Sequence, residues 1–294
     1  MRERYFRRIL SPRCCTGNVN GAGRGIRGPR FVHTLRKSLH RLRLSGLIFL
    51  ASILALALRA QDSYEIQVYG SETVSPGKTM VELHSNFTVR GQRREVDGVL
   101  PSHHALHETL EVTHGFTPWF ETALYVFSSV QERTGWEWVG NHVRPRIRVP
   151  QAWAWPVGLS LSTELGYQRR AFSEDPWVWE LRPIIDQQSG RWYVALNPAL
   201  EKSLHGEHSS EGFELAPSAK LSFDLTKRVT VGAEYYSALG RLSHLSRWNE
   251  QEHQIMPVLD LNLSPDWEFN FGVGFGLTRS TDDLLVKLIV GRRF

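Results

Sequence analysis

From residue 79 to the end of the chain, apolar and polar residues alternate with period two in segments of about ten to thirteen residues. A helix repeats every 3.6 residues and a strand every two, so this pattern is compatible with strands and with no other regular element. Val157, Leu159, Leu161, Thr163, Leu165 and Tyr167 share one such face, and Trp267, Phe269, Phe271, Val273, Phe275 and Leu277 share another. Reading the whole stretch this way predicts strands over 79–90, 105–114, 119–130, 138–149, 157–168, 177–186, 191–201, 213–225, 229–239, 253–263, 267–278 and 284–294. No amphipathic helix of comparable length interrupts them.

The connections between these twelve segments alternate, long then short, along the chain. Long loops at one end, tight turns at the other, and strands of about ten residues with one apolar face describe an all-β fold: an antiparallel transmembrane β-barrel of about 12 strands, of the outer-membrane type. Turn chemistry agrees at Gly115-Phe116-Thr117-Pro118 and Ser264-Pro265-Asp266. One further alternating piece, Glu65-Ile66-Gln67-Val68-Tyr69, precedes the first strand. Bacterial barrels have even strand numbers with both termini on the periplasmic side. Residues 61–78 are therefore expected to form a short periplasmic segment, and 79–294 the barrel.

Tryptophan placement supports two membrane interfaces. Trp119, Trp153, Trp155, Trp192 and Trp267 fall beside the short-turn end, and Trp136, Trp138, Trp177, Trp179 and Trp248 at or near the long-loop end. A soluble β-sandwich or lipocalin-like barrel also alternates, but it has no need of aromatics gathered at strand ends.

Charge separates the chain into two parts. Residues 1–60 carry 13 basic residues and one acid, so the net +5 of the whole chain is +12 on this extension and −7 on the rest. A nucleic-acid partner would require the basic footprint on the folded domain, so none is expected. Both cysteines, Cys14 and Cys15, also lie in the extension, which leaves the body without thiol ligands, disulfides or cysteine nucleophiles. Arg36, Lys37, Arg41 and Arg43 precede an apolar stretch from Leu47 to Leu58, broken only by Ser52, and then Gln61-Asp62-Ser63. That is the layout of a secretory signal, too short to span a bilayer as a helix. Residues 1–60 are read as a basic extension plus signal, removed on export, with its upstream part attributed to a misassigned start; an uncleaved anchor is the alternative.

The last strand ends at Phe294, with Val286, Leu288 and Val290 on the same face and Arg292 where an aromatic would be usual. This is similar to the carboxy-terminal signal of outer-membrane barrels. Together with Phe271-Gly272-Val273-Gly274-Phe275-Gly276-Leu277-Thr278 and Asp282-Asp283, it resembles the porin-like outer-membrane family grouped with the meta-pathway phenol-degradation channels. The resemblance is clearest over about the last 45 residues. It implies a barrel, a transport role and recognition by the barrel assembly machinery, and it supplies no catalytic residues.

If the apolar face meets lipid, the polar face lines the lumen, and it is heavily charged. His142, Arg144, Arg146 and Arg148 form a ladder on the fourth strand, flanked by Glu121 on the third, Glu164 on the fifth, and Glu180, Arg182 and Asp186 on the sixth. The opposite wall offers Glu214, Lys220, Asp224, Glu234, Asp260, Glu268 and Lys287. Two readings coexist: an inter-strand ion-pair network that fills the barrel, and a charge ladder that selects solutes.

Several histidines fall in the loops (His103, His104, His107, His205, His208, His244, His253), without a recognisable metal motif. His84-Ser85 holds the residue types of a lipid hydrolase, but strand neighbours point to opposite faces, so the two cannot pair. Gly272, Gly274 and Gly276 are expected to leave space on the lumen face. The reading is a passive outer-membrane channel for small solutes, without catalytic residues, cofactor or metal, embedded in outer-membrane lipid after export. A closed structural or adhesion barrel is the first alternative, and a membrane-embedded lipid hydrolase the second.

Overall fold

The computed structural model describes residues 64–294. The extension and signal expected over 1–60 lie outside the described residues. The strands are β1 (Thr79–Arg90), β2 (Leu106–Thr117), β3 (Phe120–Gln131), β4 (Gly135–Arg148), β5 (Gly158–Gln168), β6 (Trp177–Ser189), β7 (Trp192–His205), β8 (Glu214–Asp224), β9 (Val229–Ala238), β10 (Gly240–Arg241), β11 (His244–Leu245), β12 (Glu252–Leu261), β13 (Trp267–Gly276) and β14 (Leu284–Arg293). β10 and β11 are a two-residue hairpin in the connection between β9 and β12. The other twelve are the barrel.

Each barrel strand pairs antiparallel with its neighbours in sequence, and β1 pairs with β14 to close the ring. The seam is tied off where the Thr79 and Phe294 backbones exchange hydrogen bonds, at 3.2 Å from the Thr79 N–H and 2.8 Å from the Phe294 N–H. Closure leaves no unpaired edge, which a sheet in a hydrocarbon medium requires. Leu83, Leu110, Leu124, Val126, Leu161, Leu165, Ile185, Leu196, Leu221, Phe271 and Leu288 all point outward and are exposed. An apolar surface continuous around the ring is far larger than soluble proteins leave bare, and is what a lipid-embedded barrel presents.

Two details depart from the sequence expectation. The alternation of loop lengths fails around β4: its outer turn is only residues 132–134, while the opposite connection, residues 149–157, is long and contains a 3-10 turn at Gln151–Trp153. The outer turn is short because the β3–β4 pairing continues to Gln131 and Gly135, and within that extension β4 carries a β-bulge. Phe127 pairs with Gly140 and Ser128 with Trp138, leaving Val139 as the extra residue. Trp136 and Trp138 have the same parity as His142, Arg144, Arg146 and Arg148, yet the bulge turns the tryptophans outward and the charged ladder inward. Both are satisfied only because one residue is inserted between them.

The other departure concerns residues 64–78. They were expected as a short periplasmic segment; the chain from Tyr64 lies in the lumen and leaves it at the short-turn end, with Tyr64, Ile66, Val68, Tyr69 and Ser71 buried. It is extended but joins no sheet, so the even strand count stands. The segment leaves beside the β2–β3 turn, where the Gly77 N–H donates to Gly115 O at 2.8 Å and the Gly115 N–H to Lys78 O at 3.1 Å. A Cβ on Gly115 would lie 2.1 Å from Val74 O and 2.5 Å from Ser75 O, both backbone atoms. Gly115→Ala is therefore expected to lower stability by about 1–3 kcal/mol, read as a lower urea midpoint for the refolded barrel. An unchanged midpoint would mean that the segment does not pass this close.

Candidate functional site

An extended segment outside any sheet must find partners for every buried N–H and C=O, and the lumen wall supplies them as side chains. The Tyr69 N–H donates to Asn197 Oδ1 at 2.7 Å while Asn197 Nδ2 donates to Tyr69 O at 3.0 Å, so one amide on β7 acts as a strand partner. The Ser71 N–H and hydroxyl both donate to Asp186, at 2.9 and 2.7 Å. The Val74 N–H donates to Glu121 Oε2 at 2.6 Å. Arg146 donates to Gly70 O at 3.1 Å and Glu72 O at 2.8 Å. Farther along the lumen, Tyr64 O accepts from Thr109 at 2.7 Å and from Asn86 at 3.4 Å.

The segment's own side chains sort by wall. Ile66 and Val68 pack against Ala195, Tyr236, Met256, Val258 and Leu285. Room for Met256 comes from Gly272 and Gly274, where a Cβ would lie 2.7 Å from its sulfur and its Cε respectively. Tyr69 faces the charged wall, its ring 4.5 Å from the Arg144 guanidinium, 4.9 Å from Arg182 and 5.8 Å from Arg146, a cation–π cluster out of bulk water. Its hydroxyl donates to Glu65.

The charge ladder is tied together by ion pairs. Arg144 donates to Glu111 at 2.8 Å and lies 3.8 Å from Glu121, which pairs with Arg146 at 2.5 Å. Arg182 bridges Glu180 at 2.5 Å and Glu65 at 3.8 Å, and His142 bonds Glu164. Arg148 lines the cavity near the short turns. Across the lumen, fully buried Lys287 meets Glu234 at 2.5 Å, and Lys220 bridges Glu234 at 3.2 Å and Asp260 at 2.9 Å. Burying a charge is costly unless it is paired, and most of these charges are paired across strands or to the inserted segment. Asn197, Tyr69, Glu65 and Glu111 belong to this site and were not singled out from the sequence. A mid-strand Asn between Ala195 and Ala199 on the inward face was the available signal.

Between the segment and the short turns lies a polar cavity of about 1310 Å³, bordered among others by Glu82, Arg148, Lys227 and Glu268. At the other end the loops are pinned by two carboxylates, half-buried Asp282 and buried Asp175. Asp282 accepts from Ser102 at 2.7 Å, from the Gln92 N–H at 3.2 Å and from Thr88 at 3.3 Å, joining the first and last long loops. Burial pushes its carboxyl above the usual carboxylate range. Asp175 accepts from Ser203 and His208 in the same manner.

The loop histidines do not converge. His103 and His104 stack on each other, His107 turns into the lumen against Tyr64, and His253 stacks under Trp248. His84 is buried in the lumen while Ser85 points outward and donates to Glu108 at 2.8 Å, so the two lie on opposite sides of the wall.

Trp119, Trp192 and Trp267 stand at or beside the starts of β3, β7 and β13, with Trp153 and Trp155 in the 149–157 connection at the same end. Trp136, Trp138, Trp177 and Trp179 stand at the opposite strand ends, and Trp248 in the loop before β12. All but Trp179 are exposed; Trp179 donates to Thr163 at 2.6 Å. Phe294 is exposed at the seam, and Val286, Leu288 and Val290 share its outward face. Arg292, in the position that departs from the usual pattern, places its guanidinium 5.3 Å from the Trp267 ring and 5.0 Å from the Phe294 ring.

No family model and no curated protein matches the chain. Among solved structures, it is similar to the KdgM porin, with 12% identity and a TM-score of 0.48, over 73% of this chain and 99% of that one. The NanC porin matches with 9% identity and a TM-score of 0.48, over 72% and 97%. The translocator domain of the autotransporter NalP from Neisseria meningitidis matches with 12% identity and a TM-score of 0.38, over 88% and 98%.

Arg146 carries an ion pair and two carbonyl contacts, so Arg146→Ala leaves Glu121 and two segment carbonyls underserved. A loss of about 3–5 kcal/mol is expected, with Asn197→Ala costing about 1–3 kcal/mol. Urea midpoints of the refolded variants measure both; wild-type midpoints would show that the wall does not hold the segment.

Proposed function

We propose that this protein is an outer-membrane, porin-like channel for the passive passage of small polar solutes, with its own residues 64–76 as the closing element. One observation carries the reading: the middle of the lumen is filled by a segment that belongs to no strand and is held mainly by polar side chains of the wall. Without that segment, Arg144, Arg146, Arg182, Asp186, Glu121 and Asn197 would face open space, and charged groups inside a membrane barrel face water or one another. The wall is therefore chemically a pore lining, and the segment is a bound occupant of it.

The same wall gives the open state its selectivity. Arg144, Arg146 and Arg148 stand in one row on β4, with Arg182 two strands away, and a one-sided row of guanidiniums favours small anions. The carboxy-terminal resemblance to the meta-pathway phenol-degradation channels supports the transport side of this reading, while the charged lumen favours a polar solute over an apolar one. Export through the inner membrane by the amino-terminal signal belongs to the same proposal. So does recognition of Val286, Leu288, Val290 and Phe294 by the barrel assembly machinery.

The test is planar-bilayer current from the refolded chain and from a variant lacking residues 64–76, both shown to be folded by heat-modifiable gel mobility. The intact protein is expected to be largely closed and the deletion variant to give sustained steps. Arg144→Ala in the deletion background is expected to move the reversal potential toward cations. Silence from a folded deletion variant would contradict the channel reading and favour a closed structural or adhesion barrel.

A further inference from the structure

Among the described residues, two groups of histidine and carboxylate side chains come close enough to share an ion: Glu65, His142 and Glu164, and Glu82, His84 and Glu111. In the first the donors are engaged with neighbours, His142 with Glu164 and Glu65 with Tyr69 and Arg182. The second is different. Glu82 and His84 are two residues apart on the inward face of β1, and Glu111 is directly opposite Glu82 on β2. One ligand atom from each lies within 4.8 Å of the other two.

His84 supplies the second, independent observation. Its side chain is 0% exposed, and neither ring nitrogen makes a well-formed hydrogen bond. Nε2 has one long ion-pair contact, 3.4 Å to Glu111 Oε2, which itself has no other partner, and Nδ1 has none. A buried imidazole left in this state costs free energy that a bound ligand would recover. Meanwhile the other oxygen of Glu111 is held by Arg144 at 2.8 Å and by Thr113 at 2.6 Å, which fixes the carboxylate with Oε2 turned toward His84. Metal-binding carboxylates are typically oriented this way by hydrogen bonds to the non-ligating atom.

We propose that Glu82, His84 and Glu111 bind one divalent transition-metal cation on the lumen wall. One imidazole and two carboxylates suit zinc, cobalt or manganese better than calcium or magnesium, which take oxygen alone. Ligand bonds of about 2.0–2.2 Å require the three donors to draw together slightly, which χ rotations of the two glutamates allow. Glu82 and Glu111 also line the polar cavity at the short-turn end, which gives the ion an aqueous entry and water for its remaining coordination positions. The dication would offset the two carboxylates, adding to the Arg144 guanidinium that now holds Glu111. The proposal is independent of whether the lumen conducts, because the site lies wholly on the β1–β2 wall.

The experiment uses the refolded chain stripped with a chelator, titrated with Co²⁺ followed by absorption spectroscopy, and with Zn²⁺ in competition. Expected are one equivalent bound with a ligand-field band that zinc abolishes, and an affinity reduced at least about tenfold in His84→Ala and in Glu82→Gln. His142→Ala, altering the other cluster, is expected to leave it unchanged. Should His84→Ala fail to fold, His84→Gln provides the same comparison. Absence of stoichiometric binding, or binding unaltered by the His84 and Glu82 substitutions, would overturn the site and leave His84 as a buried neighbour of Glu111 alone.

Discussion

A buried backbone without a sheet partner is the constraint on which the interior depends. Residues 64–74 cross the lumen as extended chain, and their N–H and C=O groups have to be met by something. Asn197, Asp186, Glu121 and Arg146, from four different strands, meet those of Tyr69, Gly70, Ser71, Glu72 and Val74. The dependence runs both ways, because those wall charges would be expensive if left unpaired in a narrow barrel. Tyr69 concentrates the exchange: its backbone is bound by Asn197 and its ring sits among three arginines.

The two walls divide the labour. On the charged side, β3, β4 and β6 hold the segment by ionic and polar contacts that water can replace. On the other, Ile66 and Val68 settle into an apolar recess formed around Met256, Val258 and Leu285. Period-two alternation within the segment is what lets one short stretch address both walls, Glu65 and Tyr69 toward the arginines and Ile66 and Val68 toward the methionine. Such a mixed attachment favours an occupant that is firmly placed yet exchangeable, since nothing covalent and no ladder of sheet hydrogen bonds retains it.

Much of the barrel was legible because strand alternation is enforced by two solvents, lipid outside and a polar lumen inside, so a wrong parity would be penalised at every residue. Hence the twelve strands fall close to where alternation placed them, and Gly272 and Gly274 face inward with their missing side chains filled by Met256. The β4 bulge was not legible: Trp138 and His142 share parity, and only the paired register reveals Val139 as the residue that separates their faces. The inserted segment was misread for a related reason. Glu65-Ile66-Gln67-Val68-Tyr69 alternates like a strand, parity correctly excluded it from the sheet, and the remaining possibility, an occupant of the lumen, depends on partners such as Asn197 that lie 128 residues away. His84 was weighed for its neighbour Ser85, whereas its relevant partners are Glu82 and Glu111 on the lumen side.

Residues 64–76 occupy the lumen, and the absence of cysteine from residues 61–294 opens that placement to thiol labelling. A single cysteine at Val68, compared with one at exposed Gln151, would be challenged with a water-soluble maleimide in the folded barrel. The Gln151→Cys protein is expected to react promptly, whereas the Val68→Cys protein stays unmodified until the barrel is denatured. Equal and rapid labelling of both, in barrels that keep their heat-modifiable mobility, would contradict that placement.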